Sequence, residues 1–251
     1  MLCQKCGNCA KKCEHDAISF DKDGYPIFNR SVCLSCEKKT CEQACSSRAI
    51  KIVGTEYLEE ELFNKIKSNS LFFRNSNGGV TLSGGEPLAQ PEFVANFAQK
   101  CFDSGISVGI ETCGYFDWEK AKGFIDKFDF YYYDIKCMNE DAHLRFTSKS
   151  NNLVKENLKR LAKIEPSKII VTVAVIPHIN DSDKEILEIT SFCKSLGISK
   201  IRLLPYHSYG KSKYHELGRN YLMDDNVTFD MNKLKKYVEL VIRNGIDCWI
   251  E

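Results

Sequence analysis

Residues 78–114 open with Gly78-Gly-Val-Thr-Leu-Ser-Gly-Gly-Glu-Pro-Leu, continue through a stretch beginning at Pro91 with apolar residues at helical spacing, and close with Ser107-Val-Gly-Ile-Glu-Thr-Cys-Gly114. A short β-branched run, a turn with paired glycines, an amphipathic stretch and a second short apolar run make one strand–helix–strand unit. The same order recurs down the chain. Candidate strands cover 79–83, 107–111, 130–136, 168–176, 200–204 and 246–250, and candidate helices begin near Tyr57, Pro91, Asp117, Asn151, Ser182 and Asp230. Alternation of this kind, with central strands that are nearly continuous apolar runs, predicts a parallel sheet covered by helices. An open doubly wound sheet and a sheet curled toward a barrel both satisfy it.

The distribution of polar residues favours the barrel, because they collect where successive strands end. Ser83-Gly84-Gly85-Glu86-Pro87 follows the first of these strands, Glu111-Thr112-Cys113-Gly114 and Asp134-Ile135-Lys136 the next two, and Pro205-Tyr206-His207 the fifth. In a βα-barrel these ends form the rim where ligands bind. Gly84 and Gly85 allow a sharp turn and a close backbone approach, and Glu86 offers a carboxylate to a ligand amine. Glu111 and Asp134 bring two carboxylates toward one cation. Lys136, two residues past Asp134 and so on the same strand face, offers an ammonium to a ligand carboxylate. A plain turn and solvated strand ends are the bland alternatives for these groups. His207 lies in a loop rich in polar and aromatic residues, whereas Cys101, Cys193 and Cys248 fall in helical or strand patterns and read as small core residues.

The 251 residues, 43% of them hydrophobic, suffice for one α/β core and a small appended module. Thirty-five Lys and Arg nearly balance 34 Asp and Glu, so there is no charge surplus that would draw the chain to nucleic acid or an anionic membrane. With no apolar h-region at the start and no long uncharged apolar run, the expected setting is soluble and cytoplasmic. Eight of the 13 cysteines lie within the first 45 positions. Cys3-x2-Cys6-x2-Cys9-x3-Cys13 has the spacing with which bacterial-type ferredoxins give three thiolates to one iron–sulfur cubane and the fourth to another. Cys33-x2-Cys36-x4-Cys41-x3-Cys45 repeats the plan with a longer middle gap. Under that pattern Cys3, Cys6, Cys9 and Cys45 hold one 4Fe-4S cluster, and Cys13, Cys33, Cys36 and Cys41 hold a second. Both sets run on alike, into Ala17-Ile18 and Ala49-Ile50, each expected to be a turn and then a short strand of an internally duplicated module. Glu14 and Ser46 stand where such motifs carry proline after the fourth cysteine. Two structural zinc sites are the alternative, although zinc ligands come as separated pairs rather than four in a row.

Taken with the Ile110-Glu-Thr-Cys-Gly, Tyr133-Asp-Ile-Lys and Leu203-Leu-Pro-Tyr-His-Ser-Tyr-Gly-Lys-Ser-Lys motifs, the first-quoted stretch resembles the glycyl radical enzyme activating enzymes of the radical SAM superfamily. The two-cluster insert resembles that of the subset with auxiliary clusters, among them the activases of arylacetate decarboxylases. The resemblance implies a partial (β/α)6 TIM-like barrel over residues 54–251, behind a ferredoxin-like module over residues 1–53. It also implies one-electron reduction of S-adenosylmethionine to methionine and a 5′-deoxyadenosyl radical that takes a hydrogen atom from a partner's glycine. By motif, Gly84, Gly85 and Glu86 would contact the methionine end of that cofactor, Asp134, Ile135 and Lys136 its carboxylate region, and His207 its ribose side. Glu111, Thr112 and Asp134 would lie near a monovalent cation. The partners implied are a glycyl radical enzyme, similar to pyruvate formate-lyase or an arylacetate decarboxylase, and an electron donor such as flavodoxin or ferredoxin, with the auxiliary clusters relaying electrons or supporting docking.

Three positions depart from the family pattern. Relatives hold a catalytic cluster with Cys-x3-Cys-x2-Cys on a first strand, whereas here Cys9-x3-Cys13 is followed by Asp16 and Cys41-x3-Cys45 by Arg48. The expectation is that Met1 is an internal start, that the first strand and a third cluster belong upstream, and that the chain as written does not cleave the cofactor. A non-catalytic electron-transfer or docking protein that kept the two clusters and a barrel remnant is the alternative. Thr172 stands where relatives often have an arginine, and Cys113 where many have asparagine.

Overall fold

The computed structural model describes residues 2–221, 223, 227 and 229–251. They form two compact units: Met1–Glu56 together with Ser212–Tyr221, and Tyr57–Lys211 together with Leu222–Glu251. The first unit thus runs slightly past the expected boundary at residue 53 and takes in a segment from late in the chain. Within it the Arg30 guanidinium donates to the Glu216 carbonyl (2.7 Å).

The first unit is built from β1 (Ile18–Phe20) and β2 (Pro26–Phe28), paired antiparallel, and short helical turns at Asn8–Lys11, Arg30–Leu34 and Thr40–Gln43. The internal duplication is visible in its backbone. Asp16 and Arg48 both adopt left-handed φ, at 48° and 53°. The turns they sit in close the same way, with the Ala17 N–H donating to Cys13 Sγ (3.3 Å) and the Ala49 N–H to Cys45 Sγ (3.2 Å). Only the first turn continues into a strand. Ile18 finds Phe28 as its register partner, whereas the stretch after Ala49 has no strand pairing among the described residues, which corrects the expectation of a second strand.

The second unit carries six parallel strands in sequential order: β3 (Gly79–Leu82), β4 (Ser107–Thr112), β5 (Phe130–Asp134), β6 (Ile169–Val175), β7 (Lys200–Pro205) and β8 (Asp247–Ile250). Sequential order with a helical crossover between neighbours is that of a partial barrel, and it removes the doubly wound alternative, whose strand order reverses at a switch point. Several helices start at the expected caps. Asp117, Ser182 and Asp230 accept from the backbone N–H groups of Glu119, Glu185 and Asn232, so the orphan donors of the first turn are met by residues visible in the sequence. Helices Ser70–Ser76 and Glu140–Thr147 were not anticipated. Leu71, Phe72, Leu144 and Phe146 on them are exposed, so neither has the apolar stripe that sequence periodicity detects.

Strand alternation divides the sheet into two chemically different faces. Ile110, Tyr131, Tyr133, Val171, Val173, Ile201 and Leu203 are buried in the core that also holds Phe97, Leu158, Leu161, Ile186, Ile189 and Tyr237 of the covering helices. On the opposite face the register aligns Thr81 with Gly109 and Phe130, Glu111 with Tyr132, and Asp134 with Thr172, Arg202 and Trp249. That face is polar and aromatic. Gly109 lies on it because a Cβ there would stand 2.1 Å from the Phe130 ring. No helix among the described residues is long and apolar enough to cross a membrane.

Candidate functional site

All six strands run the same way, so their C-terminal ends share one edge of the sheet, and the predicted rim residues gather there. The chain leaves β3 through Ser83, Gly84 and Gly85 and returns through Glu86 into a single turn of 3₁₀ helix, Pro87–Ala89. Gly84 has φ of 119°, a conformation that L side chains rarely adopt, and a Cβ on either glycine would meet nothing within 4 Å. Hydrogen bonds at both ends therefore fix this open backbone. The Ser83 hydroxyl donates to Glu111 Oε2 (2.7 Å). At the other end the Glu86 carboxylate accepts from the Thr112 hydroxyl (2.9 Å to each oxygen), the Cys113 N–H (2.9 Å), the Cys113 thiol (3.0 Å) and the Leu88 N–H (3.1 Å). Glu86, read from sequence as a carboxylate for a ligand amine, is thus occupied by protein donors and shapes the loop. Burial first, and then the bond to Glu86, pushes the Cys113 thiol up to about 11, so at neutral pH it keeps its proton and donates.

The other rim residues divide by role. Glu111 and Asp134 share the polar face, whereas Thr112 is buried, points the other way and serves Glu86. Glu111 Oε1 pairs with Arg202 Nη2 (3.0 Å), and Asp134 pairs with Lys136, so each carboxylate already has a protein cation. Ile135 is buried in the core and continues the ladder through its N–H to the Thr172 carbonyl (2.9 Å), which leaves only its backbone for a ligand. His207 is exposed and stacks on Tyr209 with ring centroids 4.5 Å apart.

Three buried asparagines brace these loops. Asn157 donates to the carbonyls of Gly114 (3.0 Å) and Phe116 (2.9 Å), Asn151 to those of Cys137 (3.0 Å) and Met138 (2.9 Å), and Asn180 to those of Lys136 (2.7 Å) and Ala174 (2.8 Å). Sequence reading missed all three, since an asparagine gives no sign of which distant carbonyls it will meet. It also missed Arg202, although a charged residue inside the run Lys200-Ile-Arg-Leu-Leu was a visible signal. Arg202 is 5% exposed, and its guanidinium lies 3.5 Å from the Tyr132 ring centroid and donates to Thr172 Oγ1 (2.8 Å). Thr172 and Arg202 are direct register partners.

In the first unit all eight cysteines are free thiols, and their grouping is not sequential. Burial raises the Cys9 pKa, and Cys3 and Cys45 lie near enough to push it the same way. Burial likewise raises Cys41, and Cys13 and Cys33 lie near enough to push it the same way. Cys45 of the second set thus lies near Cys9, and Cys13 of the first set lies near Cys41. N–H groups of Lys5, Ala17 and Ala49 point at Cys3, Cys13 and Cys45, an environment suited to thiolate ligands. Among the described residues no three metal-ligating side chains are gathered around one ion position. Eight cysteines in one small unit are a soft, all-thiolate donor set of the kind that 4Fe-4S clusters take.

The α/β fold and its sequence have counterparts among known proteins. The model of the radical SAM superfamily matches residues 43–190. The chain is 36% identical over 246 residues to the 4-hydroxyphenylacetate decarboxylase activating enzyme of Clostridioides difficile (strain 630), covering 98% of this chain and 78% of that one. It is 37% identical over 225 residues to the trans-4-hydroxy-L-proline dehydratase activating enzyme of Clostridioides difficile, covering 87% of this chain and 72% of the relative. A domain of pyruvate-formate lyase-activating enzyme from Bacteroides vulgatus ATCC 8482 superposes with a TM-score of 0.58 at 24% identity, over 69% of this chain and 99% of that one, a likeness of fold. With a superfamily model matched over more than half its length and activating enzymes aligned along nearly all of it, the chain belongs to the radical SAM superfamily and, within it, to the glycyl radical enzyme activating enzymes.

Proposed function

We propose that this chain binds S-adenosylmethionine on the polar rim and two 4Fe-4S clusters in its first unit, and that it serves to install a radical on a glycine of a partner enzyme. When bound and reduced by one electron, the cofactor supplies the hydrogen-abstracting chemistry. The chain's own residues do the rest. The backbone of Ser83, Gly84, Gly85 and Glu86 receives the methionine end of the cofactor, the Asp134–Lys136 pair lies toward its carboxylate, and His207, steadied against Tyr209, closes the ribose side. The eight thiolates hold clusters that relay electrons from a donor such as flavodoxin or ferredoxin, or that support docking.

The observation that carries this reading is the Ser83–Glu86 loop. It is an open double glycine pinned at both ends and set among polar groups at the C-terminal edge of a parallel sheet. Two relatives of nearly equal identity are activases of different enzymes, so the partner is proposed only as a glycyl radical enzyme. The 251 residues contain no Cys-x3-Cys-x2-Cys, and by themselves they are proposed to bind the cofactor without cleaving it. Anaerobic reconstitution with iron and sulfide is expected to load about eight irons with a 4Fe-4S spectrum. Equilibrium dialysis is expected to show retention of S-adenosylmethionine. Zinc in place of iron, or no retained cofactor, overturns the proposal.

A further inference from the structure

Arg202 is a buried cation that the function described so far does not use. Its partners come from every other part of the sheet beyond β3: the Tyr132 ring on β5 at 3.5 Å, the Thr172 hydroxyl on β6 at 2.8 Å, Glu111 on β4 at 3.0 Å, and Glu251 just past β8 at 2.5 Å. Each of its three nitrogens already has a protein acceptor, so the geometry is that of a fixed brace rather than of a fork waiting for a ligand carboxylate. One of those acceptors reaches further. Glu111 holds Arg202 with one oxygen and the Ser83 hydroxyl with the other (2.7 Å). Ser83 begins the loop in which a Cβ on either glycine would meet nothing within 4 Å.

The loop has two pins of different kinds. Glu86 is held by backbone and side-chain donors close to it in the fold, at Thr112, Cys113 and Leu88, and that pin does not involve Arg202. The Ser83 pin depends on a carboxylate whose side chain is 41% exposed while that of Arg202 is 6% exposed. A half-exposed carboxylate at a sheet edge has several rotamers open to it, and a planar, permanently charged, stacked guanidinium selects one. We infer that Arg202 is a positioning residue for the Ser83–Glu86 loop, acting through Glu111 to place the Ser83 hydroxyl and with it the glycine backbone that receives the ligand. Its consequence for binding rests on the reading of that loop as a contact for S-adenosylmethionine, whereas the positioning itself stands on the hydrogen-bond relay.

The test is hydrogen–deuterium exchange of the peptides spanning 79–90, followed by mass spectrometry on the full reconstituted chain, with and without S-adenosylmethionine. Arg202→Gln and Glu111→Gln are expected to speed exchange in that loop about tenfold, the scale of one lost charge-assisted hydrogen bond. Glu251→Gln removes the opposite arm of the brace, and it is expected to lower the melting temperature while leaving loop exchange and cofactor affinity at the wild-type level. Affinity by equilibrium dialysis should fall by a similar factor in Arg202→Gln and in Ser83→Ala, and by no more than that in the double variant, because both cut one relay. Arg202→Lys, with a charge but no planar fork, should recover part of the loss.

Unchanged loop exchange in both Arg202→Gln and Glu111→Gln, or losses that multiply in the double variant, would refute the inference. Should Arg202→Gln fail to fold, Glu111→Gln at the rim still decides it. A wild-type chain that retains no S-adenosylmethionine, yet whose loop responds as stated, removes the functional reading and leaves the positioning role standing.

Discussion

Glu86 shows how one side chain can be read correctly as part of a site and wrongly as to its job. Its place in a Ser-Gly-Gly-Glu run marks it as a rim residue, yet the structure turns its carboxylate toward the Thr112 hydroxyl and the Cys113 and Leu88 N–H groups. Glu86→Ala leaves those donors unpaired, at a cost of about 1–3 kcal/mol, and should appear as a lower denaturant midpoint with unchanged slope. Glu185 is a carboxylate whose proton affinity is set by burial. Burial raises the Glu185 pKa above its ordinary value, with the Met138 N–H donating to it and opposing the shift. The folded chain therefore binds more protons at this site than the unfolded chain between the ordinary and the raised pKa. The stability it contributes is complete below the ordinary value and is lost as pH rises through the raised one. Glu185→Gln, which can still accept from Met138, should stabilise the protein at pH 7. Thermal melts should show that gain closing as pH falls toward about 4, where the wild-type side chain is protonated as well.

At the scale of elements, the sheet works because its two faces are assigned different chemistry by strict alternation. The helix-covered face is apolar and continuous, and the other mixes Thr81, Glu111, Tyr132, Asp134, Thr172 and Arg202 in register. Close approach between β4 and β5 on that polar face depends on Gly109, whose missing side chain admits the Phe130 ring. Gly109→Ala forces that ring out of place and is expected to destabilise the unit by about 1–3 kcal/mol, as overpacking does. Phe130→Leu in the same chain should restore part of the loss, which double-mutant unfolding would measure as a coupling. The helix starts were legible because Asp117, Ser182 and Asp230 are capping residues placed just before amphipathic runs. Helices Ser70–Ser76 and Glu140–Thr147 were not, because they present large apolar side chains to solvent and leave no periodic stripe.

For the whole molecule, the arrangement of the first unit makes a prediction that sequence distance alone would reverse. Cys9 and Cys13 are four positions apart, yet Cys9 lies near Cys3 and Cys45, and Cys13 near Cys41. If each group holds one cluster, Cys9→Ser and Cys45→Ser should each remove about four irons, and the double substitution no more than either. Cys9→Ser with Cys13→Ser should lose both clusters. Iron analysis with absorption spectra of the reconstituted variants checks this, and a double variant of Cys9 and Cys45 that loses more iron than the singles would break the pairing. The first unit is also not a simple N-terminal block, since Ser212–Tyr221 belongs to it.

What the sequence by itself determined is whatever is written in local periodicity and spacing. That includes six strands alternating with helices, the caps that start several of them, the two cysteine sets with their duplicated turn, and the rim positions from Ser83 to His207. Tertiary structure alone decided which partners those residues have. Glu111 meets Arg202 across 91 positions of sequence and Asn157 meets Gly114 across 43. Such pairings depend on strand order, register and loop path together, and a polar side chain carries no record of the distant group that will satisfy it.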